Sequence, residues 1–403
     1  MRVLAVGNMY PPHHLGGYEL VWRSAMRAAR ARGHEVRVLT SDYRLPGGPR
    51  QEDEDVHRTL RWHWDWERDQ WVRRGALARL RLERQNGAEL ARHLRELSPQ
   101  VISWWSMGGM SLGLIERARR RGHRSVLVVH DDWLVYGPRE DAWMRIWHGK
   151  RRRLGAVAEK ASGIPTRFQI ARWGRFLFNS EYTREQARLH GIDPPDAAVV
   201  SPGVDERFLD PAPEREWRGR LLYVGRVGRE KGVDTAVAAL AELGPSATLR
   251  IVGDGHPDYL AELHAEAERG GSAARLQIDA AVPPERLGEV YEESDAVVFP
   301  VRWQEPWGLV PLEAMGRGRP VIATLRGGIG EYLRDGENAL VVPPDDPPAL
   351  AAAVTRLATD PGLRRRLREG GLRTARSHRA VDFERAIVDE LERAGRQAAG
   401  GSR

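Results

Sequence analysis

The feature that most constrains the fold is a repeated alternation of short apolar runs with segments of helical period. The first run, RVLAVGN, is typical of a buried parallel strand. A turn-rich loop, MYPPHHLGG, follows it, and the helical segment YELVWRSAMRAARARG then stops at Gly33. The next run, HEVRVLTS, completes a β-loop-α-β unit, which is the building block of an open parallel sheet.

This alternation occurs in two series. The first continues through VISWW, SVLVVH and FLFNS, and the second begins at Arg220 with RLLYVGR. Between them lies SPGVDERFLDPAPEREWRG, whose prolines, charges and lack of periodicity indicate a linker. We therefore predict an α/β protein with two doubly wound, Rossmann-like domains, residues 1–205 and 215–380. Ligands should bind in a cleft between them, beyond the carboxyl ends of the strands.

Composition excludes several classes of protein. The 403 residues include no cysteine, which rules out disulfides, thiolate catalysis and cysteine-ligated metals, and fits a cytosolic protein. The N-terminal apolar run is too short for a signal peptide. The longest uncharged stretch, residues 98–115, contains a proline, four serines and three glycines. Because such a stretch makes a poor spanning helix, we expect no transmembrane segment.

The basic charge leaves the partner open. The formal net charge is +7, and arginines cluster in RARRRGHR (residues 117–124) and KRRR (150–153). This balance is compatible with a solvated, arginine-rich surface, with a nucleotide substrate and with lipid headgroups. A nucleic acid partner is a further alternative, and it is weaker than the other three.

The loop GRVGREKG, residues 225–232, directly follows the run LLYV. Its glycines let the backbone come close to a ligand, and Arg226 and Lys231 place two cations at a strand-to-helix junction. A helix near Val233 would add the positive end of its dipole. The loop therefore suits a diphosphate, although an ordinary turn with surface charges remains the alternative. It matches neither a dinucleotide fingerprint nor a P-loop.

Two acids lie among apolar neighbours in WQEPWGLVPLEAM, residues 303–315. If a helix begins near Gly308 or Leu309, Glu305 reaches toward its N-terminus and Glu313 lies on its first turns. A carboxylate accepts hydrogen bonds well from a vicinal diol, such as a ribose or hexose offers. The alternative is a capping acid followed by a surface acid.

Three further features follow predicted strands. The glycines of GGIGEY, residues 327–332, could present backbone N–H groups to a second phosphate, or simply form a tight turn. Gly16 and Gly17 begin the first helix and would face the cleft from its other wall. A single histidine is usually structural, but the position of His130 at the end of SVLVVH, with Asp131 and Asp132 after it, favours a functional role.

Tryptophans are concentrated in WHWDWERDQW, residues 62–71. They could form a stacking platform for a sugar or an anchor at a membrane interface. Partly buried packing is the interpretation that we favour.

The ordered set of motifs resembles the retaining, nucleotide-sugar-dependent glycosyltransferases of the GT-B fold, in the group called family 4. Besides the loops above, it includes SPGVD followed by RF (201–208), VGDG (252–255) and an E-x7-E pattern. The resemblance covers most of the chain, and the set is specific although no single member is. This chain departs from the family's common EGFG and GGIPE by having EPWG and GGIGE. Pro306 thereby removes one backbone N–H.

The resemblance implies that the two domains bind different substrates. Residues 1–205 would bind the acceptor, residues 215–380 would bind the sugar nucleotide, and a helix within 381–403 would cross back to the N-terminal domain. The expected catalytic residues are His130, Glu305, Arg226 and Lys231. The expected donor-binding residues are Gly17, Gly225, Arg226, Lys231, Gly253, Val282, Trp307, Gly308, Leu309, Glu313, Gly328 and Ile329.

Within that set the resemblance also implies roles. Arg226 and Lys231 would hold the diphosphate and Glu313 the ribose hydroxyls. Glu305 and His130 would contact the transferred sugar. Backbone groups at Gly17, Gly308, Leu309, Gly328 and Ile329 would touch phosphate or sugar, and Val282 would frame the base.

The implied activity is that of a retaining hexosyltransferase of the EC 2.4 type. It would move a hexose-type sugar from a UDP-, GDP- or ADP-linked donor to a hydroxyl acceptor, in glycan, glycolipid or metabolite glycoside synthesis. No cofactor or metal is expected, and no nucleic acid partner. The expected location is cytoplasmic, including peripheral contact with an anionic inner membrane face.

Two alternatives stay open. One is a basic module that binds membrane or nucleic acid. The other is a nucleotide-sugar-modifying oxidoreductase or epimerase, although the loop after the first strand has two prolines and no G-x-G-x-x-G fingerprint.

Overall fold

The computed structural model describes residues 1–14, 16–45, 48, 55–65, 70–72, 74–147 and 151–396. The chain divides into two compact units. The first is Met1–Val200 together with the segment that begins at Glu384, and the second is Ser201–Phe383. The first boundary falls five residues before the predicted one at 205. The second falls after Phe383 rather than at 381.

The first unit contains a seven-stranded parallel sheet and a small hairpin. Its strands are β1 (Arg2–Gly7), β2 (Glu35–Ser41), β3 (Val56–Leu60), β4 (Trp64–Asp65), β5 (Gln70–Trp71), β6 (Val101–Trp104), β7 (Ser125–Val129), β8 (Arg175–Phe178) and β9 (Ala197–Val199). Its helices are α1 (Gly17–Ala31), α2 (Ala76–Leu97), α3 (Gly113–Arg120), α4 (Trp133–Glu140), α5 (Arg152–Ser162) and α6 (Glu181–Leu189). The sheet order is β3-β2-β1-β6-β7-β8-β9, and β4 pairs with β5 in antiparallel fashion.

The central strands of this sheet are buried along their whole length, because helices cover both faces of a doubly wound parallel sheet. Every residue of β6 and β7 is buried. Leu4, Ile102 and Leu127 belong to one continuous apolar cluster of this unit. The prediction from the apolar runs is confirmed here, since each of the quoted runs forms a strand.

The tryptophan run is described only in part, since Trp66 lies outside the described residues. Trp62 is buried, and its indole N–H donates to the carbonyl of Gly108 at 3.0 Å. Trp64 begins β4 and packs against the core of the first unit. For Trp62 and Trp64, the packing interpretation therefore fits the contacts.

The second unit contains a six-stranded parallel sheet. Its strands are β10 (Arg220–Val224), β11 (Thr248–Val252), β12 (Leu276–Asp279), β13 (Ala296–Phe299), β14 (Val321–Ala323) and β15 (Leu340–Val341). Its helices are α7 (Val233–Glu242), α8 (Pro257–Arg269), α9 (Leu287–Glu293), α10 (Leu309–Gly316), α11 (Pro347–Thr359) and α12 (Pro361–Arg376). The order β12-β11-β10-β13-β14-β15 reverses direction between β10 and β13. Ligands of doubly wound sheets bind at this kind of switch point.

The predicted linker is a packed part of the second unit, which corrects the expectation of a spacer. The N–H of Val204 donates to the carbonyl of His378 at 2.8 Å, and the N–H of Ala380 returns a bond to Val204 at 2.8 Å. Phe208 is buried and meets the ring of Tyr291 edge-on at 5.8 Å. The segment lacks periodicity because it pairs with distant backbone instead of forming its own helix or strand.

The last helix, α13 (Ala380–Arg396), packs on the first unit from Glu384 onward. Arg175 donates to both carboxylate oxygens of Glu390, with one of the two bonds at 2.7 Å. His34 lies 2.9 Å from Glu392, and Arg32 pairs with Asp389. In the described part of the chain, no helix is both long enough and apolar enough to cross a membrane.

We expect Glu390→Gln to destabilise the first unit, because Arg175 and Glu390 are largely buried and form a two-bond pair. The loss should be about 1.5–3 kcal/mol of unfolding free energy. Chemical denaturation measures it. Glu185→Gln breaks the pair with Arg188, whose side chains are both about half exposed, and serves as the control that should leave the midpoint unchanged. Equal effects in both variants would contradict the assigned role of Glu390.

Candidate functional site

The loops after β10 and β11 approach each other closely at the switch point. The N–H of Gly225 donates to the carbonyl of Val252 at 3.1 Å. A Cβ atom at Gly253 would lie 1.9 Å from the carbonyl oxygen of Gly225, and Gly253 has a φ of +156°. Only glycine fits such a contact. The two predicted donor-binding glycines therefore bring both loops to the same edge of the sheet.

Arg226 lies at the surface of this edge. Its carbonyl accepts a hydrogen bond from the hydroxyl of Tyr223 at 2.7 Å, which holds the loop. Its guanidinium is half exposed and pairs with Glu230 at 3.0 Å. Because exposed ion pairs are weak, a polyanion can compete with Glu230 for this cation.

Lys231, Trp303 and Glu305 form one compact cluster. The ammonium of Lys231 lies 2.7 Å from Oε2 of Glu305, and the indole N–H of Trp303 donates to the same oxygen at 2.8 Å. The ammonium also lies over the Trp303 ring, 4.6 Å from its centroid. A single tryptophan therefore contacts both expected catalytic groups. No role for Trp303 was predicted, since its contact with Lys231 joins residues more than seventy positions apart in the chain.

The backbone of Glu305 is fixed by the loop after β14. The N–H of Glu305 donates to Arg326 at 3.2 Å, and its carbonyl accepts the N–H of Gly328 at 2.8 Å. A Cβ atom at Gly327, where φ is +74°, would lie 2.3 Å from that carbonyl oxygen. The N–H of Gly328 is thus bonded to Glu305 within the unit, and its contact with phosphate or sugar stays a prediction. The side chain of Ile329 is buried in the core.

Helix α10 begins at Leu309, as predicted, with Gly308 as its N-cap residue. The first N–H groups of a helix have no partner within it, and they lie at the positive end of the helix dipole. The helix is held by its buried residues Leu312 and Met315 and by the hydroxyl of Tyr332, which donates to the carbonyl of Gly308 at 2.5 Å. The N-terminal end of α10 thus supplies fixed positive potential beside the cluster of Lys231, Trp303 and Glu305.

Glu313 lies in the second turn of α10. The hydroxyl of Tyr291 donates to its Oε2 at 2.7 Å. Burial raises the pKa of Glu313, and the hydrogen bond from Tyr291 opposes that rise. Tyr291 is fully buried and fixes one oxygen of the carboxylate. Sequence reasoning did not assign Tyr291, which has no motif to mark it.

The side chain of Trp307 packs inside the second unit, and its contact with the donor stays a prediction. Its indole is almost fully buried, and the N–H donates to the carbonyl of Pro202 at 2.8 Å. Its ring packs against Tyr332 and His378, with centroids 5.1 and 5.6 Å away. Val282 follows β12 and packs, partly buried, on the apolar cluster of the second unit that also contains Trp307.

His130 follows β7 in the first unit and is buried. Its ring stacks on Tyr18 with the centroids 4.8 Å apart. Burial lowers the pKa of His130 to about 3, so the imidazole is neutral at physiological pH. Gly17 is the first residue of α1, and a Cβ atom there would meet no other described atom within 4 Å.

Asp131, next to His130, is a titratable group to which the sequence assigned no role. Burial raises its pKa to about 7, although the N–H of Trp133 donates to it at 3.1 Å and favours the charged form. The carboxyl group is therefore partly protonated at neutral pH. Over the described ranges, no group of three or more histidine or acidic side chains is arranged to hold a metal ion.

Two family models of glycosyltransferases match the chain, one over each unit. The family model described as "Glycosyltransferase Family 4" matches residues 15–208, and the model described as "Glycosyl transferases group 1" matches residues 206–374. The two matches together cover most of the chain.

Among curated relatives, the D-inositol 3-phosphate glycosyltransferase of Acidothermus cellulolyticus is 36% identical over 208 residues, which is 47% of this chain and 46% of the relative. The chain thus spans about half the length of that relative. The glycogen synthase of Mycobacterium tuberculosis is 28% identical over 95% of this chain and 91% of its own. The solved structure of Anabaena HepE in complex with UDP shares the fold with a TM-score of 0.69, at 18% identity, over 97% of this chain and 100% of that one.

We expect the charge of Asp131 to lower stability as the pH rises. The folded chain holds a proton on this group up to about pH 7, whereas an exposed aspartate loses it near its ordinary value of 3.8. Because the folded state binds the extra proton in this window, unfolding free energy falls as the pH rises through it. Asp131→Asn removes that contribution, so the variant should gain stability relative to the wild type between about pH 4 and pH 7.

Denaturant unfolding of both proteins across this pH range measures the difference. Asp193→Asn, at an exposed position of the same unit, controls for loss of a surface charge. A difference between Asp131→Asn and wild type that is the same at every pH would contradict the raised pKa.

Proposed function

We propose that this chain, which belongs to the family 4 type of GT-B glycosyltransferases, transfers a hexose-type sugar from a nucleoside diphosphate sugar to a hydroxyl acceptor, with retention of configuration. The observation that carries the proposal is the cluster of Lys231, Trp303 and Glu305 beside the N-terminus of α10. It combines positive potential for a diphosphate with carboxylates for hydroxyl groups at one edge of a sheet.

The donor diphosphate is assigned to Arg226, Lys231 and the start of α10. Negative charge grows on the leaving diphosphate as the glycosidic bond breaks, and fixed cations and helix N-termini stabilise it where it develops. These groups supply the positive charge in the proposal, which includes no metal ion. The complex of HepE with UDP supports a nucleoside diphosphate as the ligand class, and UDP, GDP and ADP remain the candidates.

Glu313 is assigned to the ribose. Tyr291 fixes its Oε2, and the carboxylate can then accept hydrogen bonds from vicinal hydroxyls with little loss of side-chain freedom. The buried setting strengthens those bonds, because competing water is scarce.

Glu305 is assigned to hydroxyls of the transferred sugar. When a diphosphate binds Lys231, the carboxylate loses part of its ion pair and gains sugar hydroxyls in exchange, while the Trp303 N–H keeps it in place. In the proposed step, the acceptor oxygen bonds to the anomeric carbon as the bond to the diphosphate oxygen breaks. The acceptor proton passes to a phosphate oxygen of the donor. Glu305 positions the sugar and forms no covalent bond.

His130 in the first unit is assigned a role as a neutral hydrogen-bonding group. With a pKa of about 3, its imidazole cannot supply positive charge to the diphosphate at neutral pH. It can donate or accept one hydrogen bond with a sugar hydroxyl.

We expect Glu313→Gln to weaken nucleotide binding by about tenfold or more, because a buried charge-assisted bond to ribose is lost. Calorimetric titration with UDP, GDP and ADP measures it. Glu289→Gln, on the exposed face of α9, is the matched control and should bind as the wild type does. If none of the three nucleotides binds the wild-type chain, the proposed donor site is wrong.

We expect Glu305→Gln to lower turnover about 10²-fold while nucleotide affinity changes little, because the carboxylate acts on the sugar. Trp303→Phe keeps the ring under Lys231 but removes the N–H to Glu305, so its loss should be smaller, about tenfold. Trp303→Leu removes both contacts and should lower turnover further.

Steady-state kinetics with the donor sugar that the chain uses separates kcat from KM for these variants. Trp217→Phe is the matched control, since that ring lies 5.7 Å from the guanidinium of Arg364, away from the cluster. If Glu305→Gln keeps full turnover, Glu305 does not position the sugar.

A further inference from the structure

Helix α5 in the first unit exposes two large aliphatic side chains. Leu154 is 64% exposed and Val157 is 68% exposed. Residues three apart lie on the same face of a helix, so the two side chains form one apolar patch. Four large hydrophobic residues of the described chain are more than 60% exposed, and this short helix carries two of them.

The charges around this patch are positive. Arg151, Arg153 and Lys160 are exposed on and beside α5. The acid of the helix, Glu159, is largely buried and pairs with Arg120 at 2.6 Å. Although burial opposes its ionisation, the bonds from Arg120 and from the N–H of Thr166 lower the pKa of Glu159 to about 2. Glu159 therefore pairs with Arg120 and, at 3.5 Å, with the exposed Arg167.

The basic run at residues 117–124 meets the same helix. Arg117 donates to the carbonyl of Gly163 at 3.3 Å, just past the end of α5. Arg120 donates to the carbonyl of Arg167 at 2.6 Å, and Arg121 is exposed. The basic run thus contacts the segment that follows the C-terminal end of α5.

The N-terminal turns of α2 repeat this pattern. Leu77 is 71% exposed, and Arg81 and Arg84 are exposed beside it. Their acidic neighbour Glu83 is buried and accepts a hydrogen bond from Ser111.

Helices α2 and α5 pack against the same stretch of chain. Arg79 of α2 donates to the carbonyl of Ala142 at 3.5 Å. On α5, a Cβ atom at Gly155 would lie 3.4 Å from the ring of Trp147. Both helices therefore contact residues 142–147 of the first unit.

Helix α6 offers a contrast within the same unit. Leu189 is 63% exposed, nearly the same as Leu154. The arginines before it, however, pair along the helix, Arg184 with Glu181 and Arg188 with Glu185. An exposed leucine on α6 thus lies among balanced charges, whereas those on α5 lie among cations.

We propose that α5, the basic run at 117–124 and the first turns of α2 form a docking surface for a membrane that contains anionic phospholipid. Leu77, Leu154 and Val157 enter the boundary between headgroups and acyl chains, and the arginines and Lys160 lie at the phosphate level. Each cation near such a surface strengthens binding about fivefold. The assignment to lipid rests on exposed charge of one sign combined with exposed aliphatic side chains.

This inference goes beyond the proposed transfer reaction and does not depend on it. The test is sedimentation of the full chain with vesicles of phosphatidylcholine alone or mixed equally with phosphatidylglycerol, at low and high salt. We expect binding to the mixed vesicles, at least tenfold weaker binding to phosphatidylcholine alone, and loss at high salt.

Leu154→Ser with Val157→Ser should weaken binding to mixed vesicles at least tenfold, and Arg153→Glu with Lys160→Glu should abolish it. Because these side chains are exposed, the thermal midpoint should not move. Leu189→Ser is the matched control and should bind as the wild type does.

The proposal is wrong if the wild-type chain does not sediment with the mixed vesicles. It is also wrong if the Leu154→Ser, Val157→Ser variant binds them as well as the wild type does. If sedimentation velocity instead shows self-association that this variant loses, a second copy of the chain covers the surface. If RNA or DNA at equal concentration displaces the chain from the vesicles, the surface binds polyanions in general and the assignment to lipid is wrong. Calorimetric titration of the same variant with nucleotide keeps the two proposals separate, since a failed vesicle test leaves nucleotide binding intact.

Discussion

The geometry of the cluster of Lys231, Trp303 and Glu305 depends on one backbone contact, the hydrogen bond from Gly328 to the carbonyl of Glu305. It ties the loop after β13 to the loop after β14, and it requires a glycine at Gly327 because any Cβ atom would collide with that carbonyl. With the backbone fixed, the Glu305 carboxylate reaches both Lys231 and Trp303. Preorganisation of this kind holds charged groups in place before a ligand arrives, so binding loses no free energy in ordering them.

Much of the fold could be predicted from the sequence because buried parallel strands leave a local signal. RVLAVGN, VISWW and RLLYVGR are apolar runs that are too short for a helix, and each forms a central strand. The start of α10 was also predictable, since Gly308 and the apolar turn after it mark a helix boundary. These signals need only a few consecutive residues.

The contacts that build the site join residues far apart in the chain, and local motifs do not predict such contacts. Trp307 resembles a ligand contact in its motif, yet the carbonyl of Pro202, a hundred residues earlier, takes its N–H. Trp303 has no motif, yet it contacts both Lys231 and Glu305. A residue's type and its neighbours in sequence do not determine which distant carbonyl or ring it meets.

The same limit applies to charge. The formal net charge of +7 is a count of side chains, and it does not say which of them face solvent. Glu116 is fully buried and pairs with Arg119 and Arg120, so part of the basic run at 117–124 is structural. Glu83 and Glu159 also turn inward, one to a serine and the other to an arginine. Because acids leave the surface while neighbouring arginines stay on it, the local field around α5 is more positive than the composition suggests. The orientation of these three carboxylates, on α2, α3 and α5, therefore determines which charge this face presents to a partner.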